Sequence, residues 1–414
     1  MMSKPVTGLL AGLRVLDASR VLAGPLCGQV LGDLGAEVVK VERPGQGDDT
    51  RSWGPPFTRS ASPDEDVYSF SAYFLSCNRN KRAITLDLAN PQGQAIFHDL
   101  VRHSDVVLEN FRAASAEKLG LGPGKLLEIN PHVVVCSLSG FGRTGPWHDR
   151  PGYDFAIQAL SGLMAITGPP EGPPCKVGVA VTDVLTGLYA AVAILACLQA
   201  RQRSGHGYTI DLALLDCAVA AQVNLAQAYL TSGEVPPRQG NAHLQIVPYQ
   251  LFATADSWLV LAVGNDGQWQ RWCQCAGQPQ LAGDPRFSSN PLRVENRTTL
   301  VPLVAEAMRL RATAEWCTLF EQAGVPHAAV ASYAEVFASP QAAPRSLKIQ
   351  VHDPQGQPLD LIGPPFHLSS PGEEPTLPEP LAPPTLGQDT DAILTEWLGF
   401  SPERLRELRQ GGVI

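Results

Sequence analysis

Asp183 directly precedes an uncharged run, Val184 to Ala200, whose 17 residues are rich in small side chains. The run predicts a helix, so Asp183 stands at a helix N-terminus, where the dipole and the free amides favour an ionised carboxylate. An ionised carboxylate can act as a nucleophile toward an acyl carbon. The same placement suits a plain helix cap, and the local residues leave both readings open. Asp154, which follows Tyr153, divides in the same way between a catalytic and a capping or solvated carboxylate. Tyr153, with a reference pKa near ~10, is a poor base at neutral pH, and its ordinary fate is a packed aromatic with a satisfied hydroxyl. Nine cysteines run from Cys27 to Cys317 without the paired spacing of a zinc site, the closest two being Cys273 and Cys275. They read as reduced packing thiols of a cytoplasmic protein, and no metal is expected.

The elements that must position these groups alternate in type. Leu13 to Asp17 and Ala36 to Val41 predict strands, and between them Pro25 and Gly35 punctuate a helix that starts at Ala23. Ala83 to Leu86, Asp105 to Leu108 and His132 to Cys136 continue the strand pattern, with a helix from Pro91 to Arg102. Short, nearly continuous apolar strands between helices predict an α/β fold with a parallel sheet covered on both faces. No Gly-x-Gly-x-x-Gly follows the first strand, so a nicotinamide or flavin dinucleotide is not indicated. Gly207 to Leu212 predicts a further strand, followed by an alanine-rich helix to about Leu230. Proline and glycine cluster from Ser232 to Gly240, which suggests a boundary, and alternation at Leu259 to Val263 followed by helical segments predicts a second α+β domain. The tail from Ile362 to Pro384 is too rich in proline for regular helix, whereas Asp389 to Leu398 and the start signal Ser401-Pro402-Glu403 predict terminal helices. Val184 to Ala200 lies at the bottom of the membrane-spanning range of ~17–25 residues and is read as a buried helix. Gly8, Gly12 and Arg14 break the N-terminal apolar patch, so no secretory segment is expected.

The chain of 414 residues is 44% apolar, which excludes disorder, and its formal charge of −9 gives no global field for nucleic acid or an anionic membrane. An anionic ligand would need a local basic pocket.

Three stretches read together resemble the class III CoA-transferase family, which also includes the formyl-CoA and carnitine CoA-transferases and the α-methylacyl-CoA racemases. They are Arg20-Val21-Leu22-Ala23-Gly24-Pro25 with Leu34 to Pro44, Asn78-Arg79-Asn80-Lys81-Arg82 with Glu109-Asn110-Phe111, and Arg150 to Asp154 with Gly178 to Asp183. Gly240-Asn241-Ala242-His243, Ile246 to Tyr249 and Gly45 to Arg51 look most like the succinyl-CoA:glutarate CoA-transferase branch. The resemblance implies a Rossmann-like large domain, begun by residues 1–225 and completed by a returning segment, 331–414, around a small α+β domain, 226–330. It also implies an interlocked homodimer, with coenzyme A or acyl-CoA as substrate and no permanently bound cofactor.

The same resemblance implies roles for particular residues. Asp183 matches the nucleophilic aspartate, and Asp154 matches an acidic position beside an aromatic one. In the racemases a histidine occupies the position of Tyr153, so racemisation is the weaker reading here. Val21, Asn110 and Phe111 are implied contacts to adenine and pantetheine, and Arg43, Lys81 and Arg82 to phosphate. Lys118 replaces a common arginine, keeping one charge but losing bidentate geometry, and Arg150 lies near a family lysine. His243 and Gln245 fall where the family has a mobile glycine-rich loop, although Ala242 to Val247 contains no glycine, and they are candidates for the far carboxylate of a dicarboxylic substrate. The expected activity is transfer of CoA from a donor such as succinyl-CoA to a small acid such as glutarate. An acyl-CoA racemase and a CoA-binding protein without turnover stand as alternatives.

Overall fold

A computed structural model describes residues 8–58, 70–369 and 377–414. Residues 1–7 at the N-terminus, and residues 370–376 of the proline-dense tail, lie outside them. The chain forms two compact units, one of residues 1–163, 177–230 and 341–414, the other of 164–176 and 231–340.

The first unit is built on six parallel strands: β1 (Arg14–Asp17), β2 (Glu37–Glu42), β3 (Lys81–Thr85), β4 (Val106–Glu109), β5 (Val134–Ser139) and β6 (Tyr208–Ala213). Their order is β3-β2-β1-β4-β5-β6 and every neighbouring pair is parallel. Chain direction across the sheet reverses between β1 and β4, and in such sheets a crevice opens beyond the carboxyl ends of those strands. The helices used below are α1 (Ala23–Asp33), α2 (Ala72–Cys77), α3 (Pro91–Arg102), α4 (Asp154–Leu160) and α5 (Val181–Ser204).

Successive strand residues point to opposite faces, and the pairs Val15/Leu16, Val38/Val39, Val106/Val107 and Val134/Val135 divide accordingly. Val15, Val38, Val106 and Val134 join α1 and α5 in one core cluster through Cys27, Leu31, Ala190 and Ile194. Leu16, Val39, Val107 and Val135 join α3 and the C-terminal segment in another, through Phe97, Leu100, Trp397 and Leu408. The returning segment also covers the edge strand: Ala83 N–H donates to Asp389 at 2.9 Å and Thr85 N–H to the Thr390 hydroxyl at 3.0 Å. An uncovered edge would be a template for intermolecular pairing.

The run expected as a buried helix is longer and only half covered. Thr186, Gly187, Ala190, Ala191, Ile194 and Leu198 are buried, whereas Leu188, Tyr189 and Val192 face outward, Val192 being 64% exposed. The alanine-rich helix expected after β6 is two helices, Leu214–Ala220 and Val223–Ser232. A strand pair unforeseen in the sequence, Lys348–His352 with Pro358–Ile362, precedes the irregular tail.

The second unit has a three-stranded antiparallel sheet of Tyr249–Ala253, Trp258–Ala262 and His327–Ala329. Its core is aromatic, with Trp269, Trp272, Trp316 and Phe320 buried. Arg293 is fully buried there and donates to the carbonyls of Val247 and Phe287 and to Asp266.

Candidate active site

Two cavities lie at the carboxyl ends of the strands of the first unit. One, of about 340 Å³, is lined by the ends of β1, β2 and β3, including Arg20, Arg43, Asp49 and Asp87. The other, of about 380 Å³, is lined by the loops after β1, β4 and β5 together with Arg150, Tyr153 and Asp183. Arg20 and Phe111 line both.

Asp183 occupies the first turn of α5, whose cap residue Ala180 has no side chain able to hold the free amides. Asp154 supplies the missing cap from α4: its Oδ1 accepts the Thr182 N–H at 2.8 Å and the Thr182 hydroxyl at 2.7 Å. Its Oδ2 accepts from Gln158 Nε2 at 2.7 Å. Gly187, one turn beyond Asp183, sets how closely the helix approaches α1, since a Cβ there would lie 2.6 Å from the Ala23 carbonyl oxygen.

A helix N-terminus favours the charged form of Asp183, but two stronger influences oppose it. Burial, and then the charge of Asp154, push its pKa up to about 7. A dipole contribution of ~0.3–1 kcal/mol is smaller than the effect of desolvation at a mostly buried carboxyl. No hydrogen bond reaches this carboxylate from the described residues. The carboxylate lines the second cavity and so is available for attack once ionised.

The other expected residues divide by location. Tyr153 is 66% exposed and lines the Asp183 cavity, so it is not a packed aromatic. Phe111 combines its two readings, packing on the core while facing both cavities, with the Arg20 guanidinium 5.8 Å from its ring centre. Asn110 uses its amide to hold the β1 loop, accepting from Arg20 N–H at 3.0 Å and donating to the Arg20 carbonyl at 2.6 Å. Val21 lines the Asp183 cavity with φ at 72°. Arg43 is exposed to the first cavity and bonds to Gln46, with no carboxylate partner among the described residues. Arg150 lines the second cavity, its guanidinium 4.8 Å from the Trp147 ring centre. Lys118 is exposed at the end of helix Ala113–Lys118, beside Leu119 of the first cavity.

Two expected phosphate contacts are corrected. Lys81 is 3% exposed and donates to Asp17 at 2.9 Å, to the Pro25 carbonyl at 2.7 Å and to Asn78 at 2.9 Å. All three ammonium protons are thereby used, and Lys81 serves as the counter-charge of a buried carboxylate. Arg82 faces Glu37, Asp389 and Glu396, so it ties β2 and β3 to the C-terminal segment.

His243 and Gln245 belong to the second unit. His243 Nδ1 accepts the Gln245 N–H at 3.0 Å, which leaves Nε2 as the other ring nitrogen, and the ring meets Tyr249 edge-on at 5.4 Å. Arg297 donates to Gln239 and to the carbonyls of His243 and Leu244, and Asn290 bonds to Gln245 and Val247 on either side. The segment is thus tied at several points where the family resemblance implied a mobile loop.

Three further residues at or near the cavities went unread in the sequence. Arg20 stands at the junction of the cavities, paired with Asp49 at 3.1 Å; its place in the first matching stretch was the available signal. His148 lines the Asp183 cavity, and no local pattern marks it. Tyr73, on α2, has a hydroxyl pushed up to about 12 by burial and then by the charge of Asp183; nothing in its sequence neighbourhood links it to a residue so distant in the chain.

A family model described as CoA-transferase family III matches residues 10–390. Succinyl-CoA:glutarate CoA-transferase of Mus musculus is 42% identical over 405 residues, spanning 98% of this chain and 90% of the relative. Succinate–glutarate CoA-transferase of Agrobacterium fabrum is 44% identical over 360 residues, spanning 87% and 89%. Among solved structures, a CAIB/BAIF family protein from Brucella suis is 42% identical with a TM-score of 0.81, covering 94% of this chain and 100% of that one.

Proposed function

The chain belongs to CoA-transferase family III and is an enzyme of that family, and from this premise we propose that it moves CoA from succinyl-CoA to a small dicarboxylate such as glutarate, with Asp183 as the nucleophile. The observation that carries the reading is the placement of Asp183 in a cavity that shares Arg20 and Phe111 with a neighbouring cavity bearing Arg43.

The steps balance without ATP. The ionised Asp183 carboxylate attacks the thioester carbonyl of succinyl-CoA and the C–S bond breaks, giving a mixed aspartyl–succinyl anhydride and CoA thiolate. The thiolate attacks the aspartyl carbonyl and expels succinate, leaving CoA as a thioester on Asp183. The acceptor carboxylate attacks this thioester and releases the thiolate, which opens the second anhydride at the acceptor carbonyl. Acyl-CoA leaves and the Asp183 carboxylate is regenerated. Asp154 holds the start of α5, and its charge adds to burial in raising the pKa of Asp183.

Arg43, Arg20, Lys118 and Arg150 are the cations for the phosphates of CoA. Val21 and Phe111 contribute contacts to the rest of the cofactor moiety, Asn110 fixes the loop that bears them, and Tyr153 stands beside the reacting carbon. The same reading includes an interlocked homodimer of discontinuous domains, supported by the outward apolar side chains Phe155, Leu188, Tyr189, Val192 and Leu230, and a cytoplasmic setting, supported by nine unpaired cysteines. Light scattering after size exclusion measures the dimer.

The substrate reading is tested by incubating the protein with succinyl-CoA and a panel of free acids. A new thioester on glutarate is the expected result; epimerisation of an α-methylacyl-CoA, or binding without a new thioester, contradicts it.

A further inference from the structure

Val21 is a β-branched residue at φ 72°, a region that L-residues with a branched Cβ occupy only when their surroundings impose it. The imposition is visible. The Val21 N–H points between the two oxygens of Asp48, 3.3 Å from each. Asp48 is buried and is held in turn by Lys40 Nζ at 2.8 Å, by the Thr50 N–H at 3.0 Å and by the Thr50 hydroxyl at 2.7 Å. Lys40 is fully buried and also donates to the Ser19 carbonyl at 3.0 Å. The Asp48 N–H is fixed by Glu42 at 2.8 Å, and Glu42 is paired with Arg51.

The segment so fixed, Ser19 to Val21, borders both cavities. Its other backbone groups are bonded to side chains as well: the Ser19 N–H to Asp17, both polar groups of Arg20 to Asn110, and the Val21 carbonyl to the Cys77 thiol. A buried ion pair is weak evidence for stability by itself, whereas one that aims a carboxylate at a strained backbone N–H has a geometric task. We infer that Asp48, clamped by Lys40, is a positioning residue for CoA transfer: it holds Val21 in its left-handed conformation and so fixes where Arg20 and the start of α1 stand relative to the acyl-CoA. The inference rests on the reading of the two cavities as the acyl-CoA site.

The test is a kinetic cycle. Asp48→Asn removes the charge that pairs with Lys40 while preserving volume, and Val21→Gly lets the turn adopt positive φ without steric cost. Asp48→Asn is expected to lower kcat/KM for succinyl-CoA by about tenfold, and that factor is expected to shrink at least about threefold in the Val21→Gly background. Thermal midpoints of the same four proteins should lie well above the assay temperature, so that the kinetic factors are read on folded enzyme. Thr50→Val, which keeps the ion pair and removes one hydroxyl from Asp48, should act in the same direction more weakly and serves if Asp48→Asn does not fold. An unchanged factor in the glycine background, or wild-type kinetics in the Asp48 and Thr50 variants, overturns the inference. Absence of transfer by the wild type would instead contradict the proposed function.

Discussion

Asp154 accepts the backbone N–H of Thr182 at 2.8 Å, so a carboxylate on one helix caps the helix that carries Asp183 one residue later. Position and electrostatics are therefore coupled: the group that fixes the start of α5 also raises the pKa of the carboxyl beside it, after burial, to about 7. Asp154→Asn retains one acceptor oxygen for Thr182 and removes the charge. Because the nucleophile must be ionised, kcat/KM is lost as pH falls through the Asp183 pKa. We expect this acid limb near pH 7 in the wild type and at lower pH in Asp154→Asn. A pH profile of both enzymes checks it, and coincident limbs would remove Asp154 as a cause.

The raised pKa also has a sign for stability. A carboxyl at 3.8 when unfolded and about 7 when folded binds its proton more tightly in the folded state, so stability present below about pH 4 is lost as pH rises toward 7. The full shift corresponds to about 4 kcal/mol. Asp183→Asn is therefore expected to raise the thermal midpoint at about pH 8 and to leave it nearly unchanged near pH 4. A midpoint that falls at the higher pH would contradict the assignment of burial as the main cause.

Arg43 and Lys81, two basic residues from the same family resemblance, should behave in opposite ways. Arg43→Ala removes an exposed cation from the first cavity, and KM for acyl-CoA is expected to rise about tenfold with little change in melting. Lys81→Met leaves Asp17 buried without its counter-charge, a loss of about 3–5 kcal/mol. Calorimetry and steady-state kinetics on the two variants separate these outcomes.

Gly187→Ala should be felt at Asp183. The added Cβ would lie 2.6 Å from the Ala23 carbonyl oxygen, so α5 must move from α1 at a cost of about 1–3 kcal/mol. A fall in kcat larger than the change in KM is the expected signature of a displaced nucleophile.

The strands of the first unit were legible because buried parallel strands form short apolar runs: Ala36 to Val41 was expected and Glu37–Glu42 is found, and Ala83 to Leu86 corresponds to Lys81–Thr85. The helix after Asp183 was legible from its uncharged run. What residue type could not reveal was the partner. Lys81 meets Asp17 from 64 positions away, and Arg82 meets Glu396 from 314 away. A basic side chain looks alike in sequence whether it awaits a phosphate or neutralises the core. The protonation of Asp183 was hidden for the same reason, since the dipole is local and readable whereas burial and the charge of Asp154 arise from folding.

The most direct measurement of the central claim is chemical trapping on the wild-type enzyme. After incubation with succinyl-CoA, borohydride should reduce an enzyme-bound thioester and convert Asp183 to homoserine, located by peptide mass spectrometry, while Asp183→Ala shows neither the product nor turnover. Modification at another residue, or substantial transfer by Asp183→Ala, would contradict the account.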